Sequence, residues 1–415
     1  MPYTRPYPGG FIDYPDVTTP ITASVLNTMD VGIKTANDQI QSGTFATRPA
    51  SPSVGNMFYQ TDTDELIKYV TDLDGQNRWM AADHDYRRSF VINGGFDVWQ
   101  RGTSFNPTSA TSTTGANYGA DRWQFLQATS NASGFTRQAI ASTDPAGYNY
   151  YLRVQRANTA TFTTAFTVQT SFESLNIEVI RGKYVTLSFW ARAGANYSAA
   201  SSYLVSNIVT GTGTDNTVGN FTTNTVNTTT NNVLTTSWKR FVITTSAALA
   251  TTITQLGISF VFTPVGTAGA ADYFDITGVQ LEAGTVPSDF EPRDYGEELR
   301  RCQRYYYRQG PYASGTQRFG SGFLASTTQA YVHTAFPVTM RSAPTALEQS
   351  GTASNYGIAN LATTTACTSV PAFVNATTDF ATSLFVSTTA MTAGQGCQGS
   401  NNSSTTAYLG WSAEL

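Results

Sequence analysis

The chain has 415 residues, a formal net charge of −4 and only 13% charged residues, where ordinary globular chains carry about 25%. That length suits two to four domains, and the mildly acidic balance argues against a nucleic-acid partner. No apolar run approaches the roughly 18 residues of a helical span, so no membrane insertion is expected. With 13% aromatics and so little charge, the composition is not that of a disordered chain.

Residues 1–20 hold prolines at 2, 6, 8, 15 and 20, with Tyr3, Tyr7, Phe11 and Tyr14 between them. Proline at that density excludes helix and central strand. The interleaved aromatics predict an extended attachment arm that seats in a larger assembly. The segment has no basic region followed by an apolar one, so no secretory signal is expected. In residues 21–44, Leu26, Met29, Ile33, Ala36 and Ile40 alternate steps of three and four, which predicts the seam of a coiled-coil helix. Residues 45–88 carry strand-like runs at Met57–Tyr59 and Leu66–Val70, turn chemistry at 62–64 and an Asp74-Gly75 turn before Trp79. This predicts a small β-hairpin neck, too small to bury much by itself, and therefore stacked about an axis.

Residues 89–292 show strand-like runs at the spacing of an all-β sandwich, among them Tyr150–Gln155, Tyr184–Ala191, Leu256–Phe262 and Tyr273–Leu281. In the last, Phe274, Ile276, Val279 and Leu281 share one face if Gly278 is a bulge. The Thr/Asn-rich stretch from Gly211 to Asn232 is expected to be loop. In residues 293–309 a short helix is predicted over 295–307, with Asp294 as N-cap and Glu297 and Glu298 in the first turn. Leu299, Cys302 and Tyr306 form one apolar seam, and a helix of about 13 residues needs a partner for it. Copies of itself would supply one, giving a homotrimer. Residues 310–415 are nearly free of charge, with short strand runs between Thr/Ser/Asn/Gly loops at 350–369 and 390–406. They predict a β tip with distal loops, where binding function tends to sit.

Three segments carry a resemblance. A VQLEAG strand, a PSDFEPR loop and an ELRRCQRYYYR helix follow one another within 272–307; INGGFDVWQRG with ADRW opens the large domain; FPVTMRSAPT lies at 336–345. Their order resembles tail-fibre and tail-appendage proteins of tailed bacteriophages. The large domain also resembles jelly-roll carbohydrate-binding modules, in its NGxF opening at Asn93, Gly94 and Phe96, its LSFWARA strand, its Trp238-to-Phe241 strand and its VQLE close. The first resemblance implies a virion protein assembled in a host cytoplasm, joined to tail or baseplate proteins through its N-terminus. It implies contact with a host surface polysaccharide or protein through its C-terminus. The second implies a jelly roll and permits sugar binding, with Trp190 and Trp238 expected to pack rather than to hold ligand. No cofactor is expected, though this resemblance permits one structural calcium, for which Asp97, Asp272 and Asp275, with Glu282, are the candidates.

No catalytic set is apparent, and the chain is not expected to be an enzyme. The two histidines, His84 and His333, have no motif-spaced partner, and G-x-S-x-G, H-E-x-x-H and C-x-x-C are missing. Cys302, Cys367 and Cys397 are expected to be reduced, with a Cys367–Cys397 bridge as the alternative. A sugar site needs only an aromatic ring beside amides, hydroxyls or a guanidinium. In the tip the candidates are Asn355 with Tyr356, then Tyr331 and Arg318. The expected molecule is thus mainly β: an elongated homotrimeric fibre with a coiled-coil root, hairpin neck, jelly roll, linker helix and receptor-binding β tip. A capsid head fibre of the same design is one alternative. A monomeric carbohydrate-binding module or depolymerase subunit is the other.

Overall fold

The computed structural model describes residues 40–82, 89–105, 118–127, 133–361, 363–388 and 391–415, with Thr28. Leu26, Met29, Ile33 and Ala36 lie outside these residues. Ile40 does not continue a helix: it opens strand β1 (Ile40–Gly43) and is half exposed. β1 pairs in parallel with β2 (Met57–Gln60), which is followed by β3 (Glu65–Thr71) and β4 (Asn77–Ala81) in an antiparallel meander. The Asp74-Gly75 turn forms as expected, with Gly75 at φ +75° donating to the Asp72 carbonyl at 2.8 Å. The neck does not depend on stacked copies to bury its core. Phe58, Ile67 and Trp79 close over Val286 of the next domain. The Glu65 carboxylate accepts from the Thr285 hydroxyl at 2.6 Å, and Arg240 donates to Asp72 at 3.0 Å.

The large domain is a sandwich of two antiparallel sheets. Its strands are β5 (Ser104–Phe105), β6 (Gln124–Gln127), β7 (Ser133–Ala139), β8 (Tyr150–Arg156), β9 (Phe166–Ser171), β10 (Val185–Ala193), β11 (Tyr203–Thr212), β12 (Thr222–Val233), β13 (Lys239–Thr244), β14 (Gln255–Phe262) and β15 (Tyr273–Ala283). One sheet has the order β13-β10-β15-β8-β7-β5 and the other β12-β11-β14-β9-β6. Alternation places Leu187, Phe189, Phe274, Ile276 and Leu281 of the first against Val168, Ile208, Ile258 and Phe260 of the second. Gly278 is the bulge: it stands at φ +60°, and the β10–β15 register shifts between Ser188 and Trp190. A side chain there would collide with Tyr148, 2.6 Å from an added Cβ. Within the stretch read as loop, residues 213–221 do lie outside the sheet, but the rest from Thr222 belongs to the 12-residue edge strand β12, paired to β11 along its length. Its Thr and Asn side chains are mostly exposed, so no apolar alternation marks it.

A one-turn helix α1 (Ser174–Ile177) follows β9, and helix α2 (Tyr295–Gln303) leaves the sandwich. Asp294 caps α2 as expected, accepting from the Gly296 N–H at 2.8 Å. The helix ends before Tyr306, which begins strand β16 (Tyr306–Gln309). Cys302 and Tyr306 are buried by their own chain, and Leu299 is partly so. The expected seam is therefore largely covered without a second copy, because the helix lies down on the sandwich and β16 enters the next sheet.

The tip holds β17 (Arg318–Leu324), β18 (Gln329–Ala335), β19 (Glu348–Gln349), β20 (Gly357–Asn360), β21 (Thr363–Ala366), β22 (Ala372–Ala376), β23 (Phe380–Val386), β24 (Gly396–Ser400) and β25 (Leu409–Ser412). β16, β25 and β19 form a small sheet, and the rest make a seven-stranded one in the order β21-β20-β24-β17-β18-β23-β22. The stretches read as loops at 350–369 and 390–406 contain β20, β21 and β24. Gly322, opposite Cys397, lies so close to the Tyr331 backbone that no side chain fits, so small residues there are strand packing rather than loop. All three cysteines are buried free thiols.

Candidate functional site

On β8, Leu152 and Val154 point into the core, so Tyr151 and Arg153 point out. The same logic turns Arg192 of β10 and Tyr273 and Asp275 of β15 outward. The register sets Asp275 opposite both Arg153 and Arg192. Asp275 accepts from Arg153 Nε and Nη2 at 2.8 and 3.0 Å and from Arg192 Nε at 2.8 Å. One carboxylate thus fixes two guanidiniums in a row across three strands. Arg192 also donates to Asp144 at 2.8 Å and to the Tyr151 hydroxyl at 3.2 Å. Trp238, just before β13, donates its indole N–H to Asp144 at 2.8 Å and meets Tyr151 edge-on at 5.4 Å.

Cation–π stacking completes the row, with Arg192 4.7 Å from the Trp238 ring and Arg153 3.7 Å from the Tyr273 ring. Burial works against the charge on Arg153 and Arg192, but hydrogen bonding and charge from Asp275 outweigh it, so both pKa values lie above the ordinary arginine value. Burial, then the charge of Asp275, pushes the Tyr151 phenol up. The far half of this sheet face is closed: Trp190 and Arg240 are buried, and Arg240 donates to the Ser288 carbonyl at 2.6 Å and to Asp72 of the neck. Neck and exit loop thereby leave open only the half bearing Tyr151, Arg153, Arg192, Trp238 and Tyr273, which are all partly exposed apart from the nearly buried Tyr151. Trp190 packs as expected. Trp238 does not simply pack, because its ring borders the open face.

The candidate calcium set does not assemble. Asp275 is held by two arginines, Asp272 by Arg156 at 2.9 Å and by the Ser198 N–H at 2.9 Å, and Asp97 accepts from Asn149 at 3.2 Å. Glu282 accepts from the Ser288 N–H and hydroxyl at 2.8 and 2.7 Å. Among the described residues no cluster of three acidic, histidine or cysteine side chains could hold a metal ion. A buried carboxylate neutralised by a guanidinium has no charge left for a cation.

In the tip the expected sugar-binding residues separate. Tyr356 is fully buried, and its hydroxyl accepts from the Ser350 N–H and donates to the Tyr408 carbonyl, both at 2.8 Å. Asn355 donates to Thr406 at 3.0 Å. Tyr331 and Arg318 lie on the outer face of the seven-stranded sheet. Tyr331 lies 5.8 Å from Phe323, and Arg318 donates to Gln398 at 3.0 Å. Phe323 and Phe380 are 45% and 41% exposed on this face.

Sequence reasoning missed Tyr151, Arg153, Arg192 and Tyr273. The available signal was the outward phase of three strands, each with a Tyr or Arg between core residues.

No family model and no curated protein matches the chain. Among solved structures, the enzymatically active domain of bacteriophage CBA120 tailspike protein 4 overlaps 47% of this chain at 12% identity and a TM-score of 0.28, and the chain spans 21% of that structure. A CBM4 overlaps 47% of this chain and 99% of its own at 17% identity and a TM-score of 0.30. TmCBM61 in complex with β-1,4-galactotriose overlaps 48% and 99% at 10% identity and a TM-score of 0.25. Likeness at this level leaves function to be argued from the chain's own side chains.

Proposed function

We propose that this chain is a glycan-binding protein and that its sugar site is the open row of Tyr151, Arg153, Arg192, Trp238 and Tyr273. The observation that carries the reading is the sharing of Asp275 between Arg153 and Arg192, with Trp238 and Tyr273 stacked at the two ends of the row. A sugar ring offers apolar C–H faces to aromatic rings and hydroxyls to fixed donors. A guanidinium already clamped by a carboxylate loses little freedom on donating to such a hydroxyl. Two guanidiniums face two carboxylates, Asp144 and Asp275, so the row is balanced and suits neutral sugars. The row binds without cleaving: Asp275 commits both oxygens to arginine, whereas glycoside hydrolysis requires a carboxyl free to protonate the leaving oxygen.

The wider role we propose is that of a tail-fibre adhesin, supported by the order of the three segments that resemble phage appendage proteins. Weak sugar sites then act through multivalency, as homotrimers and as many copies per particle, with the N-terminal arm on the virion and the tip sheet, bearing Tyr331 and Arg318, towards the host. A second reading, a monomeric glycan-binding module, is favoured by one observation: Cys302 and Tyr306 are covered within a single chain.

The sugar site is tested by calorimetry of the full chain against neutral oligosaccharides. Trp238→Ala should weaken binding by about tenfold or more, equivalent to ~1.4 kcal/mol, while Tyr331→Ala leaves this site unchanged. Undiminished binding by a folded Trp238→Ala protein would remove the site.

A further inference from the structure

A cleft of about 380 Å³ opens between α1 and α2, on residues that the sheet-face site does not use. Its size lies within the range of small-ligand pockets, roughly 300–1,000 Å³. Phe90, Ile92 and Phe172 contribute apolar surface, and Leu175 and Val179 line it although they are 75% and 63% exposed. The exposed amide of Asn176 also lines it.

Three guanidiniums, Arg122, Arg301 and Arg304, line the wall beside one carboxylate, Glu173, while the carboxylates that pair with Arg122 and Arg301, Glu414 and Glu297, lie outside the lining. Glu173 is already taken, accepting from Arg304 at 2.8 and 3.0 Å. Arg122 is buried, with Nη1 on Glu414 and Nη2 on the Ser171 carbonyl, and its Nε is a buried donor without a hydrogen-bond partner among the described residues. Among the described residues Arg301 donates to one side chain, Glu297 at 2.6 Å, four residues back along the helix. Such pairs hold weakly, on the order of 0.3–0.5 kcal/mol, so Arg301 is free to turn to a stronger acceptor.

We propose that this cleft binds a carboxylate-bearing sugar, a uronate unit of an acidic glycan. Its carboxylate meets Arg301 on the arginine-lined side, its ring lies on Phe90 and Phe172, and its hydroxyls reach Asn176. That the anion is a sugar rests on the glycan-binding reading above; that it is a carboxylate rests on the cleft alone. Planar guanidinium donors match a carboxylate two bonds at a time.

The test is calorimetry of the full chain with an oligogalacturonate and with the same oligosaccharide reduced to its neutral form. The uronate should bind about tenfold or more tightly than the neutral form. Arg301→Gln, a change at a partly exposed side chain outside the apolar core, should erase that preference, and Arg301→Lys should retain part of it. Trp238→Ala should leave uronate binding unchanged. Equal binding of the two forms, or a preference that survives Arg301→Gln, overturns the proposal; so does loss of uronate binding in Trp238→Ala, which would move the carboxylate to the sheet face. If Trp238→Ala leaves neutral sugars unaffected while Arg301→Gln still removes the uronate preference, the sheet-face site falls and the cleft stands.

Discussion

Tyr356 stands between Asn355 and Gly357 in a run of small polar residues, yet it is one of the largest fully buried side chains of the molecule. Its hydroxyl closes a bridge between the Ser350 N–H and the Tyr408 carbonyl. Tyr356→Phe keeps the ring and strands both backbone groups. It should lower unfolding stability by about 1–3 kcal/mol, the cost of buried polar groups left unpaired, with glycan affinity unchanged. Denaturant titration of the variant checks this, and a loss of sugar binding without a loss of stability would return Tyr356 to the site. Asp272 and Asp275 teach the same lesson with charge. The resemblance offers them to a cation, but the chain brings Arg156 to Asp272 and Arg153 and Arg192 to Asp275.

At the scale of the element, α2 is held by charge. Arg304 pairs with Glu173 behind β9, and Arg293 pairs with Glu291 and Glu298, the latter also accepting from the Asn93 N–H. Burial would raise the Glu173 and Glu291 pKa values, but hydrogen bonds from Arg304 and Arg293 outweigh it and hold both below the ordinary carboxylate value. Asp215 is held low in the same way, against burial, by Ser174 and Arg341. Carboxylates lowered in the folded state stabilise it above their unfolded pKa, and that contribution disappears as pH falls through the folded value.

Asp121 works in the opposite sense. Burial pushes it up to about 6, so its contribution is present at low pH and lost as pH rises to that value. Burial raises Asp97 as well, so three lowered carboxylates stand against two raised ones, and the balance predicts a melting temperature that falls on acidification below about pH 4.5. Arg304→Gln should make that fall shallower. Thermal melts from pH 3 to pH 7 decide it; a melting temperature that climbs steadily towards pH 3 would mean that Asp97 and Asp121 dominate.

At the scale of the whole molecule, the sandwich and the tip are joined by the far end of the chain. β25 pairs with β16 beside the linker helix. Beyond β25, the Glu414 carboxylate meets Arg101 and Arg122 of the sandwich, Arg122 stacks 3.6 Å from Tyr305, and Arg101 stacks 3.4 Å from Tyr306. Tyr118 reaches the Leu415 carbonyl at 3.2 Å. Neck, sandwich and tip are therefore tied within one chain, and an axial trimer rests on the 21–44 heptads and on surfaces still open. The native mass in solution tests it. The adhesin reading expects about three times the 44.7 kDa of one chain, with an elongated profile. A compact particle of single-chain mass would sink the trimer and favour the monomeric module.

Local chemistry carried much of this molecule. Alternating apolar residues in Val185–Ala193 and Tyr273–Ala283, the Gly278 bulge, the Asp74-Gly75 turn and the Asp294 cap each follow from a few adjacent residues, and each forms where the sequence places it. The Thr-rich strands β12 and β21 were not legible, because an edge strand with polar faces shows no period-two contrast. Nor could the candidate site be read from the chain. Tyr151, Arg192, Trp238 and Tyr273 are spread over more than 120 positions of sequence. Only the pairing of β8, β15, β10 and β13 puts them in one row, and only the docking of the neck decides which half of that row stays open. The physical reason is general to β-proteins: a strand's own residues set which side chains point out, but the order of its neighbours sets what they meet.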